Sequence, residues 1–145
     1  MKAILAAICL MVAGLPALAQ SWGNLDALLY RHLTSSGTAE ASFWLPDTLD
    51  PTTAERAIGV VYEYIPGSAG NTGIAVGSFV KQGSNWIFTG QIDGLWGHMP
   101  RDALFGQSSV DVTTTTLGPN EPRCCPTQVS RWRIDLTSLK TVPLN

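Results

Sequence analysis

The sequence predicts a mainly β domain of the α+β class: an antiparallel sheet of about five to six strands preceded by one short helix. Three observations carry this expectation. Stretches rich in β-branched and aromatic residues recur between Ala57 and Leu136, with apolar and polar positions alternating at period two in several of them. Short clusters of Gly, Pro, Asn and Ser, residues that turn a chain, separate these stretches. Only one segment, near the N-terminus, places apolar residues at convincing helical spacing.

The chain opens with Met1-Lys2, an apolar run from Ala3 to Gly14, and Leu15-Pro16-Ala17-Leu18-Ala19 ahead of the polar Gln20. A charged start, an apolar stretch and an A-x-A site in that order predict a cleavable secretory leader over residues 1–19. The run is too short to span a bilayer, which needs about 20 apolar residues. Cys9 follows Ile8 rather than a small residue, so it is not read as a lipid-bearing cysteine. Residues 20–145 are then a single β-rich domain, periplasmic or secreted, with no later stretch apolar for long enough to enter a membrane. A chain of 145 residues with 9 Lys/Arg against 11 Asp/Glu carries a net charge of −2 and lacks the basic excess that nucleic acid demands.

Asn24 is placed to cap a helix whose Leu25, Leu28, Leu29 and Leu33 share a face, with Gly37 beyond its end. Ser42 to Leu45 reads as a short strand, and Asp50-Pro51 as the start of one helical turn. Ala57 to Ile65 is apolar on both alternating faces until Glu63, as a central strand should be. Pro66 to Asn71 is a loop. Gly73 to Lys81 and Asn85 to Ile92 are strands joined by the turn Gln82-Gly83-Ser84, which completes an antiparallel meander. Gly59, Gly77 and Gly90 inside these strands predict bulges or close backbone approach. Asp93 to Gln107 reads as irregular, Val110 to Leu117 as a strand, and Gln128 to Leu136 as the last strand, with Trp132, Ile134 and Leu136 inward.

Between the last two strands lies Gly118-Pro119-Asn120-Glu121-Pro122-Arg123-Cys124-Cys125-Pro126-Thr127. Three prolines stiffen this loop. Cys124 and Cys125 are the only cysteines after the leader and are adjacent, which makes them a disulfide candidate in an oxidising compartment. Neighbouring Cα atoms stand about 3.8 Å apart across a trans peptide, below the usual disulfide span of about 4.4–6.8 Å, so such a bridge is strained and reducible. Four readings stay open: a structural pair, a thiol-redox site, a soft-metal site and a bridge to another chain. For metal, no C-x-x-C, His pair or methionine cluster completes a ligand set, and only His98 and Met99 could approach from elsewhere.

The run Ile58-Gly59-Val60-Val61-Tyr62-Glu63-Tyr64, the later Gly83 to Phe88, and above all Asn120-Glu121-Pro122-Arg123-Cys124-Cys125-Pro126 before a strand resemble a group of small exported bacterial proteins associated with the LppP/LprE-type lipoproteins. The likeness covers roughly Ala57 to Leu136 and is carried mainly by the C-C-P segment. Where those proteins show a G-G-K-G-x-R stretch, this chain has Gly94 to Arg101, and it lacks a lipid-attachment cysteine. The resemblance implies a soluble exported relative and implies no catalytic activity.

Among the remaining residues, Glu63 between Tyr62 and Tyr64 is a candidate buried carboxylate with a raised pKa, against the plainer reading of a solvated strand end. Trp96, His98 and Arg101 in the Gly-rich stretch, with Arg123 in the cysteine loop, form a candidate ligand or partner surface. His32 falls in the last turn of the helix, a favourable place for a partly charged imidazole. Asp47, Asp50 and Asp93 could hold calcium only if the fold assembled them, and Gly67-Ser68-Ala69-Gly70 is not a nucleophile elbow. Neither a zinc-protease helix motif nor a phosphate-binding loop occurs. With no catalytic constellation, cofactor or metal motif, the expectation is a non-catalytic exported domain that binds an envelope protein or small ligand. The alternative is a thiol-redox or soft-metal-handling protein that uses Cys124-Cys125.

Overall fold

A computed structural model describes residues 22–144; the predicted leader, residues 1–19, lies outside the described residues. One helix, α1 (Leu25–Leu33), precedes eight strands: β1 (Ala41–Pro46), β2 (Arg56–Tyr64), β3 (Thr72–Gln82), β4 (Asn85–Ile92), β5 (His98–Phe105), β6 (Ser109–Thr116), β7 (Gln128–Asp135) and β8 (Lys140–Leu144). They form two antiparallel four-stranded meanders, β1-β2-β3-β4 and β5-β6-β7-β8. The mainly β class and the single short helix hold. The expected antiparallel sheet of about five to six strands is approximately right; the described residues divide eight strands between two sheets.

Both additional strands disguise themselves. β5 occupies much of the stretch read as irregular: its register against β6 shifts twice, around Arg101, and Met99 (φ 52°) and Asp102 (φ 54°) adopt left-handed backbone. Each bulge resets the period-two alternation on which strand reading depends. β8 is five residues long and contains Pro143, a residue confined to edge strands and bulges because it cannot donate to a ladder.

The inner faces of the two sheets share one core. Ile58, Val60, Tyr62, Val76 and Ile92 from the first sheet meet Val110, Val112 and Ile134 from the second, with Leu95 between them. Burial of each such side chain stabilises the fold by about 1.5–3 kcal/mol. The outer face of the first sheet carries a second cluster, in which Leu29 and Leu33 of α1 pack on Val61 and Phe79. β2 is therefore covered on both faces, as its two-sided apolar pattern predicts.

The helix approaches closely because two glycines let it. A Cβ on Gly59 would lie 2.2 Å from Leu29 Cδ2, and one on Gly77 would lie 2.9 Å from both Leu33 Cδ2 and Phe88 Cε2. Asn24 caps α1 through the Ala27 N–H, which donates to its side-chain oxygen at 3.0 Å. His32, in the last turn, stacks on Phe88 at 4.7 Å between ring centroids. The outer face of the second sheet is open to solvent and mixes exposed Leu104, Val129 and Val142 with a charged pair, Arg133 donating two bonds of 2.7 and 2.8 Å to the carboxylate of its cross-strand neighbour Asp111.

Candidate functional site

β4 ends by leaving its own sheet. Asp93 donates its N–H to the Leu139 carbonyl and accepts from the Thr141 N–H, at 2.9 and 3.0 Å, so the chain touches the second sheet beside β8. Residues 94–97 then cross the inner face of that sheet, bury Leu95 in the core and enter β5. Two backbone carbonyls of this crossover are held from opposite sides. The Thr114 hydroxyl donates to the Trp96 carbonyl, and the Tyr62 hydroxyl donates to the Gly97 carbonyl, both at 2.8 Å.

Thr114 is itself fully buried and receives the Trp132 indole N–H at 2.8 Å, so the hydroxyl is fixed as a donor toward Trp96. Burial pushes the Tyr62 hydroxyl up to about 12, which keeps its proton on the bond to Gly97. Gly97 has φ +101°, and a Cβ there would sit 2.6 Å from Thr114 Oγ1 and 2.8 Å from the Thr115 carbonyl. Only glycine fits that combination of left-handed backbone and contact.

The consequence is a tryptophan with a fixed backbone and a free ring. Trp96 is 66% exposed and stands at the mouth of a cleft of about 440 Å³ between the crossover and the inner face of the first sheet. Its walls are apolar at Ile65, Ile74 and Leu95, and polar at Thr72 and Asp93. Tyr62 and His98, both lining it, stack with 5.7 Å between centroids and 16° between planes. The arrangement can take a flat apolar face on an indole while hydroxyl and carboxylate groups address its edges.

The structure divides the four residues of the expected surface. Trp96 and His98 line the cleft. Arg101 lies farther along β5, where its guanidinium donates to the Met99 carbonyl and the Thr115 hydroxyl at 3.0 and 3.1 Å. Arg123 is exposed in the β6–β7 loop. Tyr62 joins the site without having been singled out as a binding residue, and Asp93, weighed only as a calcium ligand, joins it too. Tyr62 reads as one more core position of a central strand, and Asp93 as the residue that ends the strand before it. Only the crossover makes them neighbours.

Glu63 corrects the expectation of a buried carboxylate with a raised pKa. It is partly exposed at the end of β2, and its carboxylate accepts from the Ser36 hydroxyl and from the Ser35 and Ser36 backbone N–H groups. These bonds, the Ser36 hydroxyl first, hold its pKa down at about 2. Glu63 thus fastens the chain after α1 to β2. Among the described residues no three His, Cys, Asp or Glu side chains are grouped to hold a metal ion, so Asp47, Asp50 and Asp93 are not assembled.

Cys124 and Cys125 are joined by a disulfide, and both are exposed. Around them the loop turns through a Cys125 N–H bond to the Pro122 carbonyl, 3.1 Å long. Its neck is drawn together by Glu121, which accepts from the Gly118 and Thr127 N–H groups at 2.9 Å each and from the Thr127 hydroxyl. Those bonds, led by the Thr127 hydroxyl, lower the Glu121 pKa. Comparison with protein-family models, with curated proteins and with solved structures finds no match to this chain.

Proposed function

We propose that the protein is a non-catalytic binding domain of the cell envelope, exported to the periplasm or beyond, which holds a small ligand in the cleft between the crossover and the first sheet. The observation that carries this reading is Trp96. Exposing an indole to water is unfavourable, and its backbone is clamped by bonds from Thr114 and Tyr62 to the carbonyls of Trp96 and Gly97. A rigid aromatic platform costs little ordering entropy when a ligand lands on it.

The neighbouring groups favour a ligand class. Asp93 accepts hydrogen bonds, Thr72 both accepts and donates, and Ile65 and Ile74 supply apolar wall beside them. A ring with an apolar face and hydroxyl edges, such as a sugar, matches all three. The export reading is supported by the leader pattern of residues 1–19, and the resemblance to small exported bacterial proteins agrees with it.

Backbone and indole NMR titration with a set of neutral disaccharides, diacetylchitobiose, cellobiose and maltose, tests the proposal. At least one is expected to shift the Trp96 indole N–H together with Gly94 and Gly97, and Trp96→Ala is expected to abolish the shifts while leaving the rest of the spectrum folded. Silence from all three, or shifts confined to surfaces away from the cleft, contradicts it.

A further inference from the structure

The β6–β7 loop is shut by Glu121 and not by its cysteines. The carboxylate joins Gly118 at one end of the loop to Thr127 at the other. The Cys124–Cys125 bond, in contrast, links neighbours in the chain. A disulfide restrains the unfolded chain in proportion to the logarithm of the loop it closes, and a ring spanning one peptide link removes very little freedom. This bond is therefore badly placed to act as a staple.

It is well placed for another role. Both cysteines are exposed, as is Arg123 directly before them. Exchange needs a sulfur that a thiolate can reach, and both cysteines stand open to solvent. None of these residues lines the cleft, so the site is separate from the ligand site proposed above.

We infer that Cys124–Cys125 is a thiol–disulfide exchange site whose co-reactant is a thiol. A thiolate attacks one sulfur of the pair; the S–S bond breaks, a mixed disulfide forms, and the bonding electrons leave on the other cysteine as a thiolate. A second thiolate attacks the incoming sulfur of the mixed disulfide, releases the co-reactant as its own disulfide and leaves the second cysteine as a thiolate. Two electrons pass from two thiols to the pair, and the two thiol protons finish on the cysteines. The same steps in reverse oxidise the pair.

The test holds the folded protein in glutathione buffers of graded ratio without denaturant, quenches with iodoacetamide and counts alkyl groups by intact mass, then melts the oxidised and reduced forms. Reduced glutathione is expected to open the pair completely and reversibly, with melting temperatures of the two forms within about 3 °C of each other. Cys125→Ser, which leaves Cys124 as the one thiol after residue 19, is expected to take up a single glutathione there from its oxidised form. A pair that resists reduction until denaturant is added overturns the inference. So does a reduced form that melts lower by more than about 3 °C, or a Cys125→Ser protein that stays unmodified.

Discussion

Glu63 shows how one carboxylate can be spent on order alone. Its pKa near 2 stands below the ordinary 4.5 because the hydroxyl of Ser36 and the N–H groups of Ser35 and Ser36 all donate to the charged form. A folded-state pKa below the unfolded one means stabilisation that is fully present above about 4.5 and is lost as pH falls toward about 2. Glu63→Gln is expected to lower the melting temperature at neutral pH, with the difference from the parent shrinking across that acid window. A difference that grows as pH falls contradicts the assignment. Tyr62 offers a second test at this scale. Tyr62→Phe removes the bond to the Gly97 carbonyl and leaves an unsatisfied acceptor, so urea denaturation should show a loss of about 1–3 kcal/mol.

At the scale of elements, helix α1 and strand β2 were legible and β5 was not, for a physical reason. The helix declares itself through Asn24 and the Leu25, Leu28, Leu29 and Leu33 face, and the Asn24 bond to the Ala27 N–H realises that signal. β2 is apolar on both sides because a second sheet covers one face and α1 the other. β5 is bulged on both sides of Arg101, and two left-handed residues re-aim its side chains, so no period survives to be read. The glycines of β2 and β3 sit between these cases. Their presence signals close approach, but the partner that approaches appears only in the fold. Gly59→Ala should force Leu29 and Phe79 apart and destabilise by about 1–3 kcal/mol in urea, with loss of the α1 contacts visible as faster amide exchange in the helix. An unchanged midpoint would mean that α1 is not seated on Gly59.

At the scale of the whole molecule, the two meanders are joined by a crossover that also builds the cleft. The segment that holds the sheets together, Asp93 to Gly97, presents Trp96, so the same bonds that stabilise the fold make the aromatic platform rigid. Sequence reasoning could find Trp96 and His98 as unusual loop residues, because aromatic and imidazole groups among glycines have no core to fill. It could not place Tyr62 and Asp93 beside them, since that depends on how β4 leaves its sheet. The cysteine loop divides the same way: the adjacent cysteines are plain in the chain, while closure of the loop by Glu121 three residues upstream of Cys124 is a matter of geometry. The cleft carries the central claim, and the most direct measurement is the NMR titration of the folded protein with the three disaccharides, run in parallel on Trp96→Ala. The account predicts shifts centred on the Trp96 indole and on Gly94 and Gly97, absent in the variant; shifts that persist in Trp96→Ala, or none in either protein, would contradict it.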